Sequence, residues 1–335
     1  MDSLTQIVLG AAVGEAVAGK KVGNWAIFWG GVAGTIPDLD VFASYFTDNI
    51  TALQIHRGFT HSFIFSILFG LLFGFLVSKI HKKLPATWKE WSILFFLGFS
   101  THAILDAHTT WGTQLFWPLD YKVAFKNIFV IDPLYTLPFL FCLLLVIFNK
   151  KGSKKRRSYN NLGLIISSCY MLLTIGLKGL SHYQFTTHLA KQEISYKEIS
   201  TRPTPLNAIL WAANVQLKDG FLIGYYSFFD SKEIQFSEVI PKNHHLLNAI
   251  LHEKKVQQLI HLTEGWYAVE TVGERLVFKD LRFGQYNIAD TNSDFVFSFE
   301  LFYDKNGVFQ ATELPKGFSD GKQMLAALLD RIKGN

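Results

Sequence analysis

Cysteine is scarce in this 335-residue chain, and charge is sparse. The two cysteines, Cys142 and Cys169, both lie in apolar runs, so they provide neither a disulfide framework nor a thiolate metal site. Charged residues make up 18% of the chain, whereas hydrophobic residues make up 49% and include 31 phenylalanines. Soluble proteins of this size rarely have so apolar a composition, which therefore favours a membrane protein.

Basic residues are grouped rather than spread over the chain. The net charge of +5 would indicate an anionic partner if it were evenly distributed. Instead, Lys79, Lys82 and Lys83 form one group and residues 150–157 another, and each lies between apolar runs. We interpret both groups as topology signals and expect no nucleic-acid partner.

Six segments are candidates for membrane spans. A bilayer core requires about 20 apolar residues per helix. The candidates are residues 4–19, 25–42, 62–80, 91–108, 133–148 and 162–177. The first two are rich in Gly and Ala and form either two spans or a re-entrant pair. The sequence thus predicts an α-helical integral membrane domain with five or six spans, residues 1–180.

The basic connections predict the orientation of these spans. Cytoplasmic loops carry an excess of Lys and Arg, which places connections 20–21, 79–89 and 150–157 inside and the region after residue 180 outside. This orientation of the spans brings ionisable residues from four segments to the outer face of the membrane. They are Asp2, Asp38, Asp40, His56, His61, His102 and Asp106.

Most of these residues occur in short polar motifs. His102 and Asp106 are four residues apart and share one helix face. Asp38 and Asp40 follow Pro37, which favours a break or turn. His56 and His61, in "HRGFTHS", are five apart, as in a loop leading into the helix that begins near Ser62.

These residue types indicate a divalent metal site. Imidazole and carboxylate without thiolate favour zinc, with manganese and iron as alternatives. The predicted ligands are Asp38, Asp40, His56, His61, His102 and Asp106, enough for one or two ions. Such sites hydrolyse phosphoesters, with a free Asp (Asp38 or Asp40) as general base. Arg57 would hold the anionic group.

Two other functions use the same residues. The metal could be structural, in a non-enzymatic membrane scaffold or sensor. Alternatively, intramembrane Asp and His residues could form a proton relay in a transport protein. The position of the groups near one surface disfavours the relay, since transport sites lie near the bilayer midplane.

Four stretches of the N-terminal region also resemble a known family. "MDSLTQIVLGAAVGE", "GTIPDLD", "HRGFTHS" and "HAILDAHTTWGTQLFWP" are similar to the YdjM-type family, described as LexA-binding, inner-membrane-associated, metal-dependent hydrolases. The resemblance covers roughly residues 1–180 and implicates Asp38, Asp40, His56, Arg57, His61, His102 and Asp106.

This resemblance implies a hydrolase of the bacterial cytoplasmic (inner) membrane and names no substrate. The label "LexA-binding" implies a cytoplasmic partner, whereas the predicted topology places the motifs outside. The same motifs remotely resemble the bacterial zinc-dependent phospholipase C group, which suggests a phosphoester in a lipid or envelope component as substrate. No pattern in the sequence indicates an oligomeric state.

The composition changes after about residue 181. Aromatic and β-branched runs at 220–229, 233–240, 265–272, 274–284 and 294–304 predict strands. Asn306-Gly307 predicts a hairpin turn. Segments 244–263 and 320–332 predict amphipathic helices, and 202–211 reads as an extended lead-in along the membrane. We therefore expect a soluble, extracytoplasmic α+β domain, residues 181–335.

Overall fold

The computed structural model describes residues 1–288, 293–315 and 321–335. It divides into two compact units. The first contains Met1–Gly176 and Pro205–Asn207, and the second contains Leu177–Thr204 and Ala208–Asn335. A helical N-terminal region is thus followed by a sheet-containing α+β region, as the sequence predicts.

The first unit is built from α-helices joined by two short 3-10 helices. The α-helices are α1 (Ser3–Val22), α2 (Asn24–Ala33), α3 (Asn49–Ile55), α4 (Phe63–Ile80), α5 (Trp88–Ala107), α6 (Pro133–Phe148) and the first part of α7 (Lys154–Lys191). The 3-10 helices are Ile36–Tyr45 and Phe59–His61. Side-chain caps fix several starts: Ser62 accepts from the backbone of Phe65 at the start of α4, and Thr87 forms a capping box with Glu90 on α5.

Glycine allows α1 and α2 to pack backbone against backbone. A Cβ built on Gly10 would lie 2.3 Å from the Gly30 carbonyl oxygen, and one built on Gly14 would lie 2.2 Å from that of Ala26. Small residues permit this close approach between helices. Because α1 also packs along α5, the start of α1 lies against the end of α5 that carries His102 and Asp106.

The prediction of five or six membrane spans is wrong. Within the described residues, two helices are long and apolar enough to cross a bilayer, α4 and α7, while α6 has 16 residues and α2 has 10. Helices α1 and α5 are long enough, but they carry charged residues and bury most of their surface inside the unit. Their apolar residues form protein core, so a segment-by-segment count overestimates the spans.

Helix α4 differs from its partner α5 in exposing its apolar surface. Its exposed large side chains are Ile64, Ile67, Leu68, Leu71, Leu72, Phe75, Leu76 and Ile80, each 41–66% exposed. Leucine and phenylalanine at such density suit contact with lipid. Helix α7 runs unbroken through 38 residues. It begins at Lys154, inside the basic group at 150–157 that the sequence predicted as a connection between spans.

The second unit contains two antiparallel sheets. One has the order β1 (Glu198–Pro203), β2 (Leu210–Gln216), β3 (Gly220–Ser227), β4 (Ile240–Pro241). The other has the order β5 (Tyr267–Val272), β6 (Arg275–Gln285), β7 (Phe295–Tyr303), β8 (Phe309–Glu313). Phe221 and Ile223 of the first sheet pack with Trp266 and Leu281 beside the second, whereas Trp211 packs with residues of α7 such as Phe185.

Four of the five predicted strands, 220–229, 265–272, 274–284 and 294–304, correspond to β3, β5, β6 and β7. The predicted Asn306-Gly307 hairpin joins β7 to β8. The strand predicted at 233–240 is reduced to an isolated bridge at Phe236 and the start of β4. The lead-in at 202–211 instead joins β1 to β2. The helix predicted at 244–263 breaks into a 3-10 helix, His244–Ile250, and α8 (Lys254–Thr263). The last helix, α9, is Gly321–Ile332, and residue 320 lies outside the described part.

Candidate metal centre

Four side chains from three segments meet where α4 begins and α5 ends. Asp38 comes from the 3-10 helix Ile36–Tyr45, His61 from the turn before α4, and His102 and Asp106 from successive turns of α5. One ligand atom from each lies within 4.8 Å of the others. His61, His102 and Asp106 are buried, while the Asp38 side chain is 22% exposed. These residues form a group that could hold a metal ion.

The two imidazoles face each other through their Nε2 atoms, which are 3.1 Å apart. Asp38 Oδ1 lies 3.3 Å from His61 Nε2 and 3.4 Å from His102 Nε2. Asp106 Oδ2 lies 3.4 Å and 3.7 Å from the same two nitrogens. Two nitrogens and two carboxylate oxygens thus surround one point.

Hydrogen bonds on the far side of each ring fix its tautomer. His102 Nδ1 lies 2.8 Å from the Gly34 carbonyl oxygen, which can only accept, so Nδ1 carries the proton. Thr60 donates to Asp40, so its hydroxyl accepts from His61 Nδ1 at 3.0 Å. In the neutral form that metal binding requires, each ring then directs an Nε2 lone pair at the same point. This outer support of ligating histidines is typical of metal sites.

Asp106 has one oxygen satisfied and one left without a hydrogen bond. Its Oδ1 accepts from Gln6 Nε2 at 2.9 Å and contacts the Met1 amino group. Its Oδ2 is buried and has no hydrogen-bond partner within the described residues, although Arg57 Nε lies 3.1 Å away. Oδ2 thus pairs with the Arg57 cation and keeps lone-pair capacity for a second cation such as a metal ion. The residues present therefore fit a divalent ion.

Asp40 lies beside the four-residue group and serves a different set of partners. Its Oδ1 lies 2.7 Å from His56 Nδ1, while its Oδ2 accepts from Thr60 Oγ1 and from the Arg57 backbone. Its side chain is 3% exposed, whereas that of His56 is 25% exposed. The carboxylate thereby orients His56, whose ring centre lies 6.0 Å from that of His61.

The carboxylates strongly favour positive charge at this place. Burial alone would lower the pKa of His61, but its contacts with Asp106, Asp38 and Asp40 outweigh burial and raise it to about 10. Burial alone would raise the pKa of Asp38 and Asp40, yet the neighbouring histidines hold both pKa values well below the usual range. A cation is stabilised here whether it is a proton on imidazole or a bound ion.

Arg57 is held in place by both its backbone and its side chain. Its φ of 61° lies in the left-handed region, which costs an ordinary residue about 1–2 kcal/mol. The carbonyl of Arg57 accepts from Gln114, and its Nη1 donates to Thr109 Oγ1 at 2.6 Å. The guanidinium already contacts Asp106 and Thr109. It is therefore better placed to position Asp106, a candidate metal ligand, than to bind an anionic substrate.

The structure thus separates the six predicted ligands into two sets. Asp38, His61, His102 and Asp106 come together, whereas Asp40 and His56 form a neighbouring pair. The supporting residues Gln6, Gly34, Thr60 and Thr109 lie within the four quoted stretches, but their residue types alone did not mark them as part of the site. Asp2 caps α1, and Glu15 pairs with Arg156 rather than with the nearby lysines.

Comparison with known proteins identifies one family. A family model described as YdjM inner membrane protein matches residues 1–183, which include every residue of the group. Comparison with curated proteins and with solved structures gives no match. Since the family match covers more than half of the 335 residues, the chain belongs to the YdjM inner membrane protein family.

Proposed function

We propose that the N-terminal unit is a metal-dependent hydrolase that cleaves phosphoesters. The observation that carries the proposal is the convergence on one point of two imidazole Nε2 atoms, Asp38 Oδ1 and Asp106 Oδ2, which accepts no hydrogen bond from the described residues. Imidazole and carboxylate ligands favour zinc, with manganese and iron as alternatives. When bound, the ion would supply a Lewis acid that polarises a phosphoryl oxygen and makes water a better nucleophile.

The protein's own residues would then divide the remaining work. Asp38, His61, His102 and Asp106 hold the ion, and the partial exposure of Asp38 leaves access on its side. His56 Nε2 takes the proton of the attacking water, since Nδ1 faces Asp40. The water oxygen bonds to phosphorus as the bond to the leaving alcohol breaks, and that alcohol regains a proton from His56. Arg57 positions Asp106.

The surroundings of the site favour an amphiphilic substrate such as a lipid or envelope component. The 3-10 helix that carries Asp38 also exposes large apolar side chains on its surface: Leu39, Val41, Phe42, Tyr45 and Phe46, each 48–87% exposed. Aromatic residues of this kind are enriched at membrane interfaces. The site also lies at one end of α4, whose exposed surface suits lipid. A substrate anchored in the bilayer would reach the site along this surface.

Turnover by the zinc-loaded full-length protein tests this function. We expect hydrolysis of a phosphoester, and faster hydrolysis of phosphatidic acid in vesicles than of soluble p-nitrophenyl phosphate. The control is His102→Ala, shown by circular dichroism to remain folded, which should be inactive. An inert, metal-loaded wild type would instead favour the scaffold or sensor with a structural metal. Proton-coupled transport into vesicles by that protein would favour the relay.

We further propose that the site faces the outer side of the inner membrane. Lys79 lies in the last turn of α4, at the end opposite the site, and Lys82 and Lys83 follow it. The basic start of α7 at Lys154 would likewise lie inside, so that α7 crosses to the outer side and the C-terminus follows it there. A reporter enzyme that is active only outside the cytoplasm, fused after Asn335, should therefore be active. Activity only of a cytoplasmic reporter at the same position would reverse the orientation.

A further inference from the structure

The second unit contains a buried arginine that lacks the partners such a residue normally has. Arg202 lies near the end of β1 and is 5% exposed. The strand register places it opposite Ala212 on β2, which is opposite Tyr225 on β3. The three residues therefore form one row across one face of the sheet, with the small Ala212 between two long side chains.

One nitrogen of the Arg202 guanidinium has no hydrogen-bond partner among the described residues. This nitrogen, Nη1, is fully buried. The other terminal nitrogen, Nη2, lies against Gly284, where a Cβ would be 2.7 Å away. A buried guanidinium normally engages its donors with carboxylate or carbonyl oxygens.

Asp280 is the carboxylate whose charge acts on Arg202, but it already pairs with another arginine. Asp280 binds Arg282 through two contacts, Nη2 to Oδ2 at 2.7 Å and Nε to Oδ1 at 3.1 Å. Asp280 therefore pairs with Arg282, and it acts on Arg202 through its charge alone, with no hydrogen bond between the two. Burial lowers the pKa of Arg202 to about 10, which leaves the side chain charged at neutral pH. The charge of Asp280 favours this cation only from a distance, and a directly bound anion would stabilise it further.

We propose that Arg202 binds the oxyanion group of a ligand, a carboxylate or a phosphate, in the second unit. The planar fork of a guanidinium matches both groups in bidentate geometry. Tyr225, half-buried at the other end of the row, supplies its hydroxyl as a further donor. This unit would then recognise an acidic ligand independently of the metal centre, so the proposal does not depend on the hydrolase activity.

Thermal unfolding of the full-length, detergent-purified protein tests the proposal. Acetate and inorganic phosphate are titrated separately at constant ionic strength, with a chelator present so that the metal centre holds no ion. A ligand that binds the folded state raises the unfolding midpoint with its concentration. We expect a saturable rise of several degrees with at least one of the two anions, and the more effective anion identifies the group.

Two variants separate this site from general charge effects. Arg202→Met should abolish the rise, whereas Arg275→Met, which removes an exposed cation from β6, should leave it unchanged. If Arg202→Met does not fold, Arg202→Lys takes its place and should weaken the response at least tenfold in anion concentration. A folded wild type that responds to neither anion overturns the proposal. So does a rise in the unfolding midpoint that is unchanged in the folded position-202 variant, or that is lost equally in Arg275→Met.

Discussion

Replacing His56 with glutamine is expected to lower kcat by about 10²–10⁴-fold, the usual contribution of general acid–base catalysis. The imidazole lies beside the metal group, is oriented by Asp40 and retains 25% exposure. Glutamine can still donate to Asp40, but it cannot accept a proton from water. The KM should change little, since His56 is not assigned to substrate binding. Added imidazole should restore part of the activity.

Metal content separates this role from that of a ligand. His56→Gln should retain the same amount of bound ion as the wild type, measured by elemental mass spectrometry on the samples used for kinetics. Loss of the ion from folded His56→Gln protein would make His56 a ligand, as the sequence predicted. Full activity with the ion retained would exclude both roles.

His61→Ala and His102→Ala should each weaken metal binding by at least about 100-fold, since changes to the outer partners of metal ligands already cost 10–100-fold. Each removes one of two nitrogens. The remaining imidazole and the oxygens of Asp38 and Asp106 then provide three of the four ligands that a zinc ion normally has in a closed site. The measurement is the free zinc concentration at half-saturation in a competition titration with a chromophoric chelator. Circular dichroism of the same samples confirms that the helices are intact.

His108 provides a matched control for these variants. It follows His102 on the same segment, but its Nδ1 bonds to Asn127 and it lies outside the four-residue group. His108→Ala should therefore bind zinc as tightly as the wild type. Equal loss of affinity in His108→Ala would show that the alanine variants act through folding and would remove the evidence for specific ligands.

Helical spacing predicted one part of the site well. His102 and Asp106, four residues apart in a segment with clear helical character, do lie on one face of α5. The separation of Asp38 from Asp40 could not be predicted, because it depends on the backbone. A 3-10 helix has three residues per turn, so residues two apart point in different directions. Asp38 faces the two histidines, while Asp40 faces His56.

Hydropathy had a similar limit. It distinguishes apolar from polar segments, but it does not distinguish a lipid-facing helix from a helix buried in protein. Helix α4 is apolar on its exposed surface, whereas α1 and α5 bury most of their residues inside the unit, and Gly10 lets α1 approach α2 closely. In the second unit, β1, β2 and β8 were not among the predicted strands. Residues 202–211 were interpreted as an extended lead-in, although they contain the end of β1, an edge strand that tolerates Pro203.

The central claim is that Asp38, His61, His102 and Asp106 hold one divalent ion. Elemental mass spectrometry of the detergent-purified wild type beside His61→Ala/His102→Ala tests it most directly. The structure predicts about one zinc, manganese or iron ion per chain in the wild type and none in the variant. A well-folded wild type without metal, even after reconstitution with each ion, would contradict the claim, and the proposed hydrolase would be excluded with it.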